Sequence, residues 1–396
     1  MNNTGVAHSP SSYSLRQLVL YFLQLGYSGF GGPVALVGYM HSDLVEKRKW
    51  ISEDEYKEGL ALAQLAPGPL AAQLSIYIGF VHYRLLGATL VGVAFVLPSF
   101  IMVVLIGVLY KMFGGLPWMQ AIFYGVGAAV IGIIAISSYK LTIKSVSKLT
   151  LVEMSARWLL WLFFLAACII TAITQSEQVL LFIAAGLLYM FVKAPPKPLP
   201  GNKRAFSWLL FAFTGFWQYQ YGDLEKMAIF FLKAGAFVFG SGLAIVPFLQ
   251  SGVVKEYHWL NQQQFLDAVA VAMITPGPVV ITVGFIGYLV AGFPGAIVAS
   301  LTTFLPCYLF TVIPAPYFHR FAKNISIKAF VDGVTAAVVG ALAGSVIVIG
   351  IKSIYDIPTA IIAVITVLSL LYIKKLREPY IILAAAAAGL LIRTFF

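Results

Sequence analysis

The chain has 396 residues, of which 60% are hydrophobic and 10% are charged, and its mean hydropathy is +0.91. A soluble globular domain carries roughly 25% charged residues, so this composition excludes an ordinary water-soluble protein. The net charge of +11 is spread over several short loops, as in cytoplasmic loops that face anionic lipid, and we expect no nucleic-acid partner.

Seven apolar runs reach or approach the roughly 20 residues that a helix needs to cross a bilayer. They predict an all-α, multi-pass membrane protein. Two further segments precede the runs in each half of the chain and are also apolar, but glycine and proline interrupt them. The seven runs are 86–110, 117–138, 158–173, 293–318, 329–351, 357–373 and 379–396, and the interrupted segments are 15–40, 58–81, 226–250 and 267–291.

The two halves of the chain repeat one another. Residues 22–69 align without a gap on residues 231–278, at an offset of 209 and with 15 identities in 48 pairs. One deletion later the offset becomes 208 and aligns Pro98 with Pro306. Self-similarity at a fixed offset marks a repeat architecture. We therefore predict a first repeat over 1–193, a linker with a connecting helix over 194–226, and a second repeat over 227–396.

Loop charge indicates that the two repeats have opposite orientations in the membrane. The loop 139–157 of the first repeat is strongly basic, whereas its equivalent in the second repeat carries only Lys352 and Asp356. The basic turns of the second repeat are 319–328 and 374–377 instead. Because Lys and Arg concentrate on the cytoplasmic side, equivalent loops face opposite sides. Inverted repeats of this kind place a transport site at their interface, near the middle of the membrane.

The interrupted segments break at Pro67-Gly68-Pro69 and Pro276-Gly277-Pro278, and at glycine clusters near 29–33 and 239–242. A residue before proline leaves the α region, and proline then suits the first position of a new helix. Each piece of about 12 residues is about 18 Å long, roughly half a bilayer. The segments are therefore either broken spanning helices or re-entrant hairpins. Inversion also requires one more crossing, for which the run 205–219 is the candidate.

Either form places helix N-termini inside the membrane, where free N–H groups and the helix dipole favour an anion. We predict that the four breaks surround one anion, the alternative being kinks that serve packing. Lys233 is predicted to add positive charge, so that Lys233→Ala abolishes transport; the alternative is a lysine that extends from a helix end to the membrane surface. The candidate binding residues are Gly31, Gly32, Pro33, Gln64, Pro67, Gly68, Pro69, Gln73, Lys233, Gly240, Ser241, Gly242, Thr275, Pro276, Gly277 and Pro278.

Glu58 and Asp267 are equivalent carboxylates, each nine residues before its Pro-Gly-Pro motif. An ionisable residue inside a membrane is a functional candidate because it is costly to place there. Both are candidate carriers of a coupling ion, and the alternative is an acid that caps a helix N-terminus. The sequence has no nucleophilic or metal-ligand constellation and no Walker A motif. We therefore expect a transporter or a channel rather than an enzyme, with no cofactor and no metal site.

The pattern FLxLGxxxFGGPxAxxxxM, followed by Lys49-Trp50 and LALAQLAPGPxxxQ, occupies Phe22 to Gln73. It resembles the chromate ion transporter family in its two-domain form. The second copy is looser, because FGSG stands at 239–242 and Met273 replaces Gln64. The resemblance implies chromate export across the cell membrane, coupled to an ion gradient. Together with the inverted repeats, it leads us to expect a secondary transporter of the inner cell membrane that works by alternating access.

The sequence leaves several alternatives open. Sulfate has the same shape and charge as chromate, so it is a second candidate substrate. A transporter or channel for another anion and a non-catalytic assembly factor are the other candidates. The expected partners are the oxyanion and the lipid bilayer, and a homodimer is one arrangement left open.

Overall fold

The computed structural model describes residues 13–30, 32–175, 179–195, 222–238, 242–318, 324–373 and 378–395. Every regular element in these ranges is a helix, so the predicted all-α membrane fold is confirmed. The predicted connecting helix at 205–219 lies outside the described residues, and the repeat boundaries stay a prediction. The described helices long and apolar enough to cross a bilayer are Leu70–Phe113, Pro117–Ser145, Val279–Tyr317 and Ile325–Ser353.

Local sequence explains where the helices of the first repeat begin. Ser14 and Ser52 each form a capping box. The serine side chain accepts a hydrogen bond from the backbone N–H three residues later, and the side chain of that later residue accepts one from the serine N–H. Pro117 occupies a first turn, where a missing N–H removes no helical hydrogen bond. The helices are α1 (Leu15–Ser28), α2 (Gly32–Met40), which continues as a π-helix over His41–Lys47, α3 (Glu53–Leu65), α4 (Leu70–Phe113), α5 (Pro117–Ser145), α6 (Leu151–Ala156), α7 (Trp158–Thr174) and α8 (Val179–Lys193).

The second repeat follows the same plan. Asn261 forms the capping box that Ser52 forms in the first repeat, and a second π-helix, Gln250–Glu256, aligns with the first. Matching irregularities at equivalent positions show that the repeats share local structure as well as sequence. The helices are α9 (Asp223–Ala236), α10 (Val246–Leu249), α11 (Gln262–Ile274), α12 (Thr282–Val312), α13 (Ile325–Ser353), α14 (Ile357–Tyr372) and α15 (Glu378–Phe395).

The interrupted segments of the first repeat fold as two re-entrant hairpins, the first formed by 15–30 with 32–47 and the second by 53–83. In the second hairpin, Glu55 near the start and His82 near the end lie 3.2 Å apart, so both ends are at the same face. Its tip is Pro67-Gly68-Pro69. The first hairpin also returns to its own face, since Tyr21 on α1 donates a 3.4 Å hydrogen bond to Asp43 on the π-helix. The structure thus decides between the two forms that the sequence left open.

The second repeat forms the equivalent two hairpins. Phe230 on α9, which aligns with Tyr21, packs against Tyr257 and Trp259 with ring centroids 5.6 and 5.7 Å away. Pro276-Gly277-Pro278 is the tip of the other hairpin. Aromatic contacts of Phe230 therefore hold the first hairpin of the second repeat together. In the first repeat, the hydrogen bond between Tyr21 and Asp43 occupies the equivalent place.

A sharp turn inside α4 and α12 separates each second hairpin from the spanning helix that follows it. The turn falls at Arg84 (φ 53°, ψ −144°) and at the equivalent Gly292 (φ 63°, ψ −153°). Gly79 and Gly87 pack backbone to backbone across the first of these turns, where any side chain would collide. The equivalent glycines of the second repeat, Gly287 and Gly295, make the same contact.

Cavity lining and side-chain hydrogen bonds show that equivalent parts of the repeats lie on opposite faces. Lys140, near the end of α5, lines one cavity mouth together with Lys328 of the second repeat, and this side is named the basic face. On the other side, named the far face, Gln175 accepts hydrogen bonds from Lys255 and from Lys352, near the end of α13. Burial and the neighbouring Lys352 lower the pKa of Lys255 to about 8. The equivalent helices α5 and α13 therefore end on opposite faces.

The two repeats are interleaved. Helices α7 and α8 of the first repeat pack against α13 of the second, and α14 and α15 pack against α5 of the first. Glycine lets the backbones touch, since Gly340 lies against the Phe164 carbonyl and Gly125 against the Ala385 carbonyl. Small residues are what membrane helices use for close contact, because lipid is as apolar as the side chains. Each repeat is therefore completed by the last two helices of the other.

Candidate functional site

A cavity of about 1100 Å³ opens at the basic face and extends to the hairpin tips. This volume is slightly above the roughly 300–1,000 Å³ of small-ligand pockets, so an inorganic ion can enter with part of its hydration. Both repeats build its inner wall, with residues in or next to all four breaks. They include Gly29, Phe30, Gly32, Pro33, Gln64, Leu65 and Leu70 from the first repeat, and Leu243, Met273, Thr275, Gly277 and Val279 from the second.

Two backbone hydrogen bonds join the repeats at the tips. The N–H of Gly68 donates to the Val238 carbonyl at 2.5 Å, and the N–H of Gly277 donates to the Gly29 carbonyl at 3.0 Å. Gly68 aligns with Gly277 and Gly29 with Val238, so the two bonds are equivalent. Both glycine N–H groups therefore bond to the opposite repeat in this conformation and do not point at an anion.

Backbone geometry requires glycine at both tips. Gly277 has φ +98° and Gly68 has φ +147°, conformations that L side chains rarely adopt. A Cβ at Gly277 would collide with Ser99 Oγ, which itself donates a 2.7 Å hydrogen bond to the Pro276 carbonyl. A Cβ at Gly68 would lie 3.2 Å from Cβ of Cys307, the equivalent of Ser99. Each tip is thus packed against the spanning helix of the opposite repeat.

The predicted binding residues other than Lys233 fall into three groups. The first lines the cavity and consists of Gly32, Pro33, Gln64, Thr275 and Gly277. The second lies at or beside the tips without lining the cavity and consists of Pro67, Gly68, Pro69, Gln73, Gly242, Pro276 and Pro278. The third, Gly31, Gly240 and Ser241, lies outside the described residues.

Two polar side chains of these groups support the backbone of the tips. Gln73 is fully buried, and its Nε2 donates a 2.9 Å hydrogen bond to the Pro67 carbonyl. Thr275 Oγ1 donates a 3.1 Å hydrogen bond to the Ala272 carbonyl. Gln64 differs from both, because its side chain is exposed in the cavity. Among these three, Gln64 is therefore the one placed to contact a ligand directly.

Five cations surround the mouth of the cavity, and sequence reasoning missed them as site residues. Two carboxylates, Asp332 and Glu378, face them, which leaves an excess of positive charge. The charge of the basic loops indicates orientation, and the spacing of two lysines is a further signal: Lys140 and Lys144 are four residues apart at a helix end and share one face. The five cations are Lys140, Lys144, Arg157, Lys193 and Lys328.

Lys233 is not among the described residues that line the cavity. It is exposed on α9, as the equivalent Gln24 is exposed on α1. This placement favours the alternative of a lysine that extends along the helix surface toward the membrane boundary. We therefore expect Lys233→Ala to retain most oxyanion uptake, contrary to the prediction from sequence. Uptake into vesicles with matched protein amounts tests this, and complete loss of uptake would return Lys233 to the site.

The two candidate coupling carboxylates lie in different surroundings. Glu58 is half-buried and lies beside the Tyr77 hydroxyl. Its hairpin enters from the basic face, because α4 crosses after the turn at Arg84 and α5 returns to end at that face. Asp267 is 2% exposed and accepts hydrogen bonds from Tyr110 at 2.6 Å and Gln263 at 2.9 Å. Equivalent positions in the repeats thus differ in burial and in partners. Within the described part of the chain, no group of three or more His, Cys, Asp or Glu side chains is placed to hold a metal ion.

The sequence matches the protein-family model described as Chromate transporter over residues 16–190 and 225–390. The two matches cover most of the chain, and one falls in each repeat. The chain belongs to the chromate transporter family. Membership supports a role in chromate transport across a membrane, in agreement with a cavity built between inverted repeats.

Curated relatives extend this similarity to the whole chain. A chromate transport protein of Cupriavidus metallidurans is 64% identical over 389 residues, covering 98% of this chain and 95% of that protein. A probable chromate transport protein of Synechococcus elongatus is 58% identical, covering 98% of each. An uncharacterized transporter of Bacillus subtilis is 29% identical over 163 residues, which are 40% of this chain but 91% of that protein. No solved structure matches this chain.

Proposed function

We propose that this chain exports chromate from the cytoplasm by alternating access of the cavity. The observation that carries the proposal is the path itself, which leads from a mouth with five cations and two carboxylates to the hairpin tips of both repeats. Because Lys and Arg concentrate on the cytoplasmic side, the basic face is the cytoplasmic one. The cavity is then open toward the compartment from which chromate is removed, and the membrane is the inner cell membrane.

The mouth and the inner wall suit an oxyanion in different ways. The mouth cations attract a dianion over about 10 Å, the screening length at 0.1 M salt, and raise its local concentration. Deeper in the cavity, α2 begins at Gly32 on the wall, and the first N–H groups of a helix have no acceptor within that helix. Such groups and the helix dipole bind anions. Gln64 adds a side-chain amide beside them.

The inverted repeats supply a physical route to alternating access. At the far face, the contact of Gln175 with Lys255 and Lys352 joins the ends of three elements. Lys352 is the equivalent, at an offset of 208, of Lys144 in the open mouth. An exchange of conformation between the repeats would close the basic face and open a passage past Lys352. In this proposal an ion gradient drives the transport cycle, and no chemical step is catalysed. The homodimer stays a prediction.

Radiolabelled chromate uptake into inside-out membrane vesicles tests the proposal, because their outer surface is the cytoplasmic face. We expect saturable uptake that an imposed proton or sodium gradient changes, and much slower uptake into right-side-out vesicles. Unlabelled sulfate as competitor measures specificity, and strong competition would widen the substrate class to tetrahedral dianions. Absence of uptake under every gradient, with correctly inserted protein, would contradict a chromate transporter. Uptake that rises linearly without saturation would indicate a channel.

A further inference from the structure

A second cavity, of about 650 Å³, opens on the far face, opposite the mouth with the five cations. This far vestibule is lined by Asp267 together with Tyr110 and Gln263, the two residues that hydrogen-bond its carboxylate. Two cations also line it, and each lies over an aromatic ring: Lys111 over Tyr288 at 5.3 Å and Arg393 over Tyr124 at 5.0 Å. The titratable or charged groups that share the vestibule with Asp267 are Tyr110, Lys111, Tyr124, Tyr355 and Arg393.

The surroundings of Asp267 suit a proton better than a metal cation. The side chain is buried, and none of the described Lys, Arg or His side chains forms an ion pair with it. An ionised carboxylate in such a place is costly, which favours proton binding, whereas the two donated hydrogen bonds favour the ionised form. The opposing effects suit a group that binds and releases a proton. A hard metal cation prefers several oxygen ligands, carboxylates among them, and Asp267 is the one carboxylate among the described residues that line the vestibule. Lys111 and Arg393 would repel a metal cation from the vestibule.

One short helix connects this carboxylate to the oxyanion cavity. Helix α11 carries Asp267 on the far vestibule, and its last turn carries Met273 to the inner wall of the oxyanion cavity, with Thr275 just beyond. Six to eight residues at 1.5 Å per residue separate the two positions by about 9–12 Å. At that distance, across a poorly screened interior, a bound dianion and an ionised Asp267 repel one another. Oxyanion binding therefore favours the protonated carboxylic acid.

We propose that Asp267 is a proton-binding site that is loaded from the far face while the oxyanion is loaded from the basic face. The inference rests on the proposed transport function and adds the coupling ion, its residue and its side of access. Because the two ligands load together from opposite faces, the change of conformation moves them in opposite directions. The proton enters the cell as the oxyanion leaves. Glu58, half-buried and on the basic face, does not provide the far-side access that this exchange requires.

A binding measurement on the purified protein tests the linkage without transport. In mildly alkaline, weakly buffered solution, where free chromate is a dianion, a pH dye reports protons taken up as chromate is added. We expect saturable proton uptake by the natural chain and its loss in Asp267→Asn. Asp223→Asn is the matched control, since Asp223 is an exposed acid in the first turn of α9 at the same face, and it should retain the uptake. Chromate binding without proton uptake in the natural chain would overturn the inference.

A transport measurement tests the side of access. In inside-out vesicles the lumen faces the far side, so an acid lumen should accelerate chromate uptake, and Asp267→Asn should lose that acceleration. Retained acceleration in Asp267→Asn would overturn the proton site while leaving the transport function intact. The proton site would also be overturned if a sodium gradient accelerated chromate uptake in place of the acid lumen and this acceleration depended on Asp267. Absence of chromate binding and uptake in the natural chain would instead contradict the transport function itself.

Tyr110→Phe provides a milder second variant in case Asp267→Asn fails to insert. It removes one hydrogen bond that favours the ionised carboxylate, so Asp267 should bind its proton more tightly. The acceleration by lumenal protons should then reach half of its maximum at a higher lumenal pH. An unchanged midpoint in Tyr110→Phe would contradict the assignment of the proton to Asp267.

Discussion

Replacing Gly277 with alanine is expected to abolish chromate uptake. Gly277 has φ +98°, where an L residue costs roughly 1–2 kcal/mol, and its new Cβ would collide with Ser99 Oγ. Overpacking of a buried contact adds about 1–3 kcal/mol. The tip would have to move away from Ser99, which would strain the 3.0 Å bond between Gly277 N–H and the Gly29 carbonyl that joins the repeats. Chromate uptake and thermal unfolding in detergent measure the two consequences.

Gly38→Ala is the control for this prediction. Gly38 is exposed on α2 with no atom within 4 Å of an added Cβ, so uptake and unfolding should stay at the values of the natural chain. The double variant Gly277→Ala with Ser99→Ala removes the colliding hydroxyl and should recover part of the stability, leaving the cost of the positive φ. Normal uptake and unchanged unfolding in Gly277→Ala would show that the tip does not pack as described.

Neutralising two cations of the cavity mouth should weaken chromate uptake by raising its KM. Lys140 and Lys144 are exposed side chains that line the mouth four residues apart on α5. Each exposed charge contributes on the order of 1 kcal/mol to the attraction of a nearby anion, so the double Lys→Gln variant should raise KM by about ten- to thirtyfold. The maximal rate should change much less, because the hairpin tips are untouched. Initial rates over a range of chromate concentrations separate the two parameters.

Lys148→Gln is the matched control, because Lys148 is an exposed lysine of the same face that does not line the cavity. Its KM should stay close to that of the natural chain. Added salt should raise the KM of the natural chain more than that of the double variant, since screening weakens the interaction that the variant has already lost. Equal KM values in the natural chain and the double variant at low salt would exclude the mouth cations from chromate recruitment.

Much of the fold follows from sequence because its signals are local or periodic. The offset of 209 identified the repeats, and the charge of the loop 139–157 against that of Lys352 and Asp356 identified their inversion. The sequence does not show whether the interrupted segments cross the membrane or return to the same face as hairpins, because both forms need the same half-length helices. The contacts that decide it join residues far apart in sequence, such as Glu55 with His82.

The predicted binding residues differ in where the structure places them relative to the cavity. The Pro-Gly-Pro breaks do reach the inner end of the cavity, yet the N–H groups of Gly68 and Gly277 bond to the opposite repeat. A lysine in an apolar run, such as Lys233, is a candidate for a site, but the sequence does not show which side of a membrane helix faces lipid. The mouth cations were overlooked because Lys140 and Lys328 are distant in sequence and meet only through the packing of α5 and α13.

Composition, periodicity and loop charge by themselves determined that this protein is a helical membrane protein of two inverted repeats. These properties depend on how each segment partitions between water and lipid, and each segment does so largely on its own. Only the tertiary structure decided that the two Pro-Gly-Pro breaks are hairpin tips and that each repeat receives its last two helices from the other. It also decided that Asp267 and Glu58 lie on opposite faces in different surroundings. Those features arise from glycine contacts and single hydrogen bonds between distant residues, and no local pattern encodes which distant residue will be the partner.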